Sequence, residues 1–249
     1  MNRTGKFGIA ELLFVLSLLI LIVIVALPVL LIFWTSFVVD GHFNLSAVVE
    51  VLTKPDTFEA LKMSLLLAAC VTVTCTAVGT LVAWLVTRTD MPFKETMKVL
   101  FTIPFMLPAF IGALAWKMLL SPRAGYINQL WMALFGTRTP LFNIYSFWGI
   151  VIIETMYLFP FVFIQVSGAL ERMDPTLEES ARIAGAGLFT ITRKITIPLI
   201  LPAVVSGALL VCLYSLAHFG TPAILGTEVG IYTIPTKIYE LIHQSAGSF

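Results

Sequence analysis

A chain of 249 residues in which 59% of side chains are hydrophobic and only 12% charged, with a mean hydropathy of +0.98, cannot cover a water-exposed surface with polar groups, so most of its surface must face lipid. A formal net charge of +1 excludes a nucleic-acid footprint. Cys70, Cys75 and Cys212 lie inside apolar runs without CxxC or metal-ligand spacing, which excludes a disulfide framework or a metal site and reads as buried thiols.

Arg3 and Lys6 precede an apolar run from Leu12 to Phe33. At about 22 residues the run is too long for a signal-peptide core, and no small-residue cleavage pattern follows, so it is expected to be a retained first span. Further runs of spanning length cover about 61–86, 99–120, 145–170 and 196–217. None alternates polar and apolar residues like a barrel strand, and lipid otherwise permits only helices. The expected fold is therefore all-α, a polytopic transmembrane helical bundle.

The connecting segments differ in charge. Segments 1–11, 87–98 and 171–195 carry nine Lys and Arg residues against six for 34–60, 121–144 and 218–249 with the adjoining Lys62 and Lys117. The basic side faces the cytoplasm, which predicts five spans with the N-terminus inside and residue 249 outside. Tyr126, Trp131, Tyr145 and Trp148 near the outer boundaries suit either an interfacial aromatic belt or plain packing. Pro28, Pro104, Pro108, Pro160, Pro198 and Pro202 fall in or at the ends of spans. Each removes an intrahelical hydrogen bond, and their number favours a bundle that moves over a static anchor.

Two spans contain polar residues of interest. Glu154 lies about two turns inside the fourth span, where a carboxylate is costly unless it faces protein or water. It could pair with Lys117 near the outer end of the third span, line a solute pathway beside Thr155 and Tyr157, or sit protonated or solvated at the bundle edge. Gln165 and His218 are similarly open: His218 is either a gate contact or a satisfied interface histidine.

The cytoplasmic segment 171–195 is too ordered in pattern for a passive linker. Asp174 can cap a helix whose first position is Pro175, and Leu177, Ala181, Ala184 and Leu188 then share one face. Glu178 and Arg182 stand four apart on the polar face and are expected to pair. Gly185 and Gly187 allow a sharp turn, Gly185 through a positive φ or a close backbone approach, before a second short helix at 189–195. A partner pushing on such a helix–bend–helix would move both adjoining spans.

Glu179-Ser180-Ala181, three residues, Gly185, nine residues, Ile195-Thr196-Ile197-Pro198 resembles the EAA loop of binding-protein-dependent ABC transporter permeases, with Ser180 and Ile197 as mild departures. The resemblance covers about residues 60–247. It implies a type I ABC importer permease bundle with 171–195 as coupling loop to the ATPase, Glu179 as a polar contact and Gly185 as the bend, within a motif that also includes Ser180, Ala181, Ile195 and Pro198. The runs from Ser215 to Gly226 and Tyr232 to Ile242 resemble the first half of ferric-iron-type permeases that fuse two six-helix halves, and permeases for polyamines, thiamine, aminoethylphosphonate and sulfate carry comparable segments. On this resemblance a sixth span is expected beyond residue 249.

The implied partners are an ABC ATPase subunit dimer, an extracytoplasmic solute-binding protein, a second permease half, fused or separate, and membrane lipid, with no nucleic acid. The implied location is the bacterial inner membrane. No GxxxxGK[ST] run occurs, so the nucleotide site is expected on another subunit and no cofactor in this chain. An ion-coupled secondary transporter would need polar, discontinuous spans meeting at the midplane, which only the prolines hint at. A membrane enzyme would need an HExxH or paired histidine–carboxylate constellation, and none is visible.

Overall fold

The computed structural model describes residues 9–39 and 42–246, so Arg3 and Lys6 of the charge argument, and the chain end at 247–249, lie outside the described residues. The residues up to Phe58 form one compact unit and those from Glu59 a second.

In the first unit, α1 (Ile9–Phe37) contains the predicted first span and keeps Pro28 inside the helix. A short antiparallel pair comes next, Val38 opposite Phe43 and Val39 opposite His42. Phe37 stacks on both Phe33 and Phe43, and α2 (Ser46–Thr53) starts where the Asn44 side chain accepts from the Ser46 amide at 2.7 Å.

The second unit is organised by α3 (Pro55–Arg88), which belongs to it from Glu59 onward, and α7 (Phe147–Arg172), whose buried faces supply much of the apolar core, including Leu67, Val71, Cys75, Ile150, Val151, Ile153, Val162 and Val166. Glycine sets how closely the helices approach α7. A Cβ on Gly79 of α3 would fall 2.7 Å from the Val162 Cβ, and one on Gly207 would fall 2.8 Å from the Val162 Cα, so Val162 is held between two glycines. Cys70, Cys75 and Cys212 are free thiols, with Cys75 fully buried and the other two half-buried.

The predicted third span is not one straight helix. It is divided into α4 (Lys94–Met106) and α5 (Ala109–Leu120), bent by 99° at the break. Leu107 precedes Pro108 and is therefore driven to extended backbone, φ −87° and ψ 137°, while Pro108 has no amide to continue the ladder. Among the described residues four helices are long and apolar enough to cross a membrane, and a count of five requires the bent pair to cross as one unit.

The predicted separation of a short helix at 189–195 from a span at 196–217 also needs correction. α8 (Thr176–Ile183) is short as expected, but α9 (Leu188–Ile191), a π turn at Thr192–Thr196 and α10 (Ile197–Ala217) run on as one apolar helix. The wider turn directly precedes Pro198, whose ring would otherwise press on the carbonyl four residues earlier.

The other connections are ordered. In the segment 121–144, α6 (Tyr126–Phe135) carries the fully buried Asn128, whose amide nitrogen donates to the carbonyls of Leu120, Ser121 and Phe142 and whose oxygen accepts from the Phe142 amide. After α10, a π turn at Pro222–Gly226 and a 3-10 turn at Thr227–Val229 lead to α11 (Ile234–Ala246), anchored where the Ile234 amide donates to Ser64 Oγ of α3 at 2.8 Å.

Candidate functional site

The segment joining α7 to α10 is built by local rules. The Asp174 carboxylate accepts from the Thr176 amide at 3.0 Å, which holds its pKa below the usual carboxylate value and caps the first turn of α8. The helix ends in a Schellman turn: the Ala186 amide donates to the Ala181 carbonyl, the Gly185 amide donates to the Arg182 carbonyl, and Gly185 adopts φ +83°. Of the two reasons foreseen for this glycine the structure shows the positive φ, and within this chain a Cβ on Gly185 would meet nothing within 4 Å.

The face expected to be apolar points away from the rest of the chain. Leu177, Ala184 and Leu188 are exposed, and so are Ile183 at 89% and Phe189 at 78%. Of the motif residues, Glu179, Ser180, Gly185 and Pro198 are exposed, while Ala181 and Ile195 are half-buried. Ile183 and Phe189 were not singled out by motif spacing. Their signal is two large apolar side chains in a segment otherwise rich in charge.

Glu178 does not pair with Arg182. It turns inward to Arg88 at the end of α3, with Nε 3.2 Å from Oε2, and accepts from Thr196 Oγ1 at 2.7 Å. The half-buried arginine offers a less screened partner than an exposed side chain one turn away.

The candidate residues in the spans separate into two groups. Glu154, with no exposed surface, is the centre of a buried cluster: Ser215 Oγ donates to Oε2 at 2.8 Å and His218 Nδ1 lies 2.9 Å from Oε1. Of the readings open for Glu154, the pair with Lys117 is not formed; Lys117 instead pairs with Glu228 and lies over the Tyr145 ring. The bend between α4 and α5 redirects α5, so Lys117 meets the turn after α10 rather than the middle of α7. Gln165 lies on the exposed side of α7, apart from the cluster.

Thr155, adjacent to Glu154, faces the opposite neighbour, its hydroxyl 2.6 Å from that of Thr74 on α3. Two consecutive polar residues of α7 thus tie it to α3 and to α10. Serine, histidine and glutamate are also the residue types of a nucleophile set, but Ser215 donates to the carboxylate and not to the imidazole, so nothing here activates it. Among the described residues no group of three or more His, Cys, Asp or Glu side chains could hold a metal ion.

Residues 75–248 match the family described as binding-protein-dependent transport system inner membrane component. The chain belongs to this family.

The four long apolar helices, five if the bent pair crosses as one, fit the multi-pass inner-membrane component that the family description names. The chain is similar to the Fe(3+)-transport system permease protein FbpB 2 of Haemophilus influenzae, 30% identical over 92% of this chain and 40% of that one. It is also similar to the sulfate transport system permease protein CysT of Escherichia coli, 29% identical over 80% and 72% of the two chains. The spermidine/putrescine transport system permease protein PotB of Salmonella typhimurium is 28% identical over 91% and 80%. The chain thus spans about two fifths of the length of the Haemophilus ferric-type permeases. Its fold is shared with a chain of a bacterial ABC transporter that imports the acidic polysaccharide alginate, at a TM-score of 0.73 and 19% identity over 94% of this permease and 84% of that chain.

Proposed function

We propose that the chain is the permease subunit of a binding-protein-dependent ABC importer carrying a small hydrophilic solute from the periplasmic side into the cytoplasm, on ATP hydrolysed by a separate pair of ATPase subunits. The observation that carries this reading is the α8–Gly185–α9 segment. It presents Ile183, Leu188 and Phe189 outward while being continuous with α7 and α10, as a surface that transmits a push must be. Glu179 supplies a polar contact to the ATPase and Gly185 the bend. The segment 171–195 and the N-terminus lie in the cytoplasm, a solute-binding protein docks on the other side, and a second permease half completes the pathway.

Ferric iron is the solute we propose, supported by the ferric-type relatives that align over 92–98% of this chain. In that role the buried Glu154 cluster holds the helices together, and the ion is delivered by the binding protein.

The test uses the intact transporter reconstituted with its ATPase and binding protein. Gly185→Val forces a β-branched residue into a left-handed conformation without meeting any neighbour. It is expected to insert at normal abundance yet lose ATPase retention or stimulated hydrolysis, whereas Glu179→Ala has a milder effect and Leu130→Ala none. Full ATPase binding and coupled hydrolysis in Gly185→Val would sink the assignment. Stimulation by binding protein loaded with ferric iron, but not with sulfate or spermidine, is the expected solute result.

A further inference from the structure

Coupling in an importer requires that a push on α8 reach the spans, and the contact that would carry it centres on Arg88 and Glu178, neither of which is a signature position of the EAA-like motif. Arg88, in the last turn of α3, sends its Nε to both oxygens of Glu178, at 3.3 and 3.2 Å, and its Nη2 donates to the Leu170 carbonyl at the end of α7 at 3.1 Å. Thr196 Oγ1 donates to the same carboxylate at 2.7 Å, and the Thr196 residue is buried. One arginine and one glutamate therefore join α3, the end of α7, α8 and the start of α10.

The junction is shielded, with the Arg88 and Glu178 side chains only 17% and 13% exposed. The other tie at this end, Lys98 to Glu171 at 2.8 Å, is considerably more open at 28% and 50%, and water and salt weaken it. The π turn contributes as well. One residue more or less in a helix rotates every later side chain by roughly 100°, so the extra residue in Thr192–Thr196 sets which way the Thr196 hydroxyl faces.

Resting on the proposed importer function, we propose that Arg88 is a positioning residue for coupling: with Glu178 and Thr196 it clamps α8 to α3, α7 and α10 so that the loop and these helices move as one body. Arg88 is not itself part of the exposed surface that meets the ATPase. Guanidinium geometry suits the position because a planar fork reaches the carboxylate through Nε and the carbonyl through Nη2 at once, whereas an ammonium offers all its donors from a single nitrogen.

The experiment measures the ratio of solute-stimulated to basal ATP hydrolysis in the reconstituted transporter, beside permease abundance and ATPase co-purification. Arg88→Gln and Glu178→Gln are each expected to keep the ATPase bound and to lower the ratio roughly tenfold, with the double variant no lower than either single one. Arg88→Lys recovers part of the loss, and Lys98→Gln leaves the ratio unchanged. A purely structural role would lower abundance and leave the ratio of the surviving protein intact.

A ratio within about twofold of wild type in Arg88→Gln, or losses that multiply in the double variant, overturns the proposal. If Arg88→Gln does not accumulate, Thr196→Val decides, since it removes only the hydroxyl: a reduced ratio supports the clamp and an unchanged one overturns it. Failure of the importer reading would show differently, as a wild-type transporter that binds no ATPase, and it would take this inference with it. A wild type that couples beside an Arg88→Gln variant that couples equally well removes this inference alone.

Discussion

Replacing Glu154 by alanine tests whether the buried cluster holds α7 to α10. The substitution deletes a carboxylate with no exposed surface and orphans two groups at once, the Ser215 hydroxyl at 2.8 Å and His218 Nδ1 at 2.9 Å. Hydrogen bonds between membrane helices contribute about 0.6 kcal/mol each on average and up to about 1.7. Two such bonds place the loss between about 1 and 3 kcal/mol, and the cavity left behind favours the upper part of that range. This is below the roughly 3–5 kcal/mol for breaking a buried ion pair in a water-soluble protein, because in lipid the unfolded helices also find partners.

Glu154→Gln retains shape and can still accept from Ser215, so it should cost less than about 1 kcal/mol. Reversible unfolding of the purified protein in mixed detergent micelles measures both variants, and a double-mutant cycle with His218→Ala isolates the pair at about 0.6–1.7 kcal/mol. An alanine variant no less stable than the glutamine variant, or a coupling energy indistinguishable from zero, would refute the structural role.

Gly207→Ala places a Cβ 2.8 Å from the Val162 backbone and should destabilise by about 1–3 kcal/mol in the same unfolding assay, while Gly168→Ala, which meets nothing within 4 Å, should not. For the orientation, single cysteines at the exposed positions Ser180 and Val229, in a background lacking Cys70, Cys75 and Cys212, should be labelled from the cytoplasm and from the outside respectively. Labelling of both from one side would show the topology wrong.

The legible parts of the sequence were those set by local chemistry. The length of each apolar run identified α1, α3, α7 and α10 as lipid-facing helices, because an unpaired backbone cannot cross hydrocarbon. Asp174-Pro175 marked the start of α8, and Gly185 marked its end, because each depends on neighbours within one helical turn. Pro108 was visible too, but its bend was underestimated: a proline announces a lost hydrogen bond and not whether the helix kinks or turns by 99°.

Which polar side chains meet was decided only by the tertiary structure. Glu178 had a plausible partner four residues away in Arg182 and took Arg88, ninety residues earlier. Glu154 had Lys117 as a candidate and took Ser215 and His218. Asn128, whose four hydrogen bonds order the segment 121–144, carried no sequence signal at all. Helix formation depends on residues one turn apart, so its rules are written along the chain. The partner of a buried charge depends on how the helices cross and bend, and on which group burial leaves least screened, and that is known only once the bundle has packed.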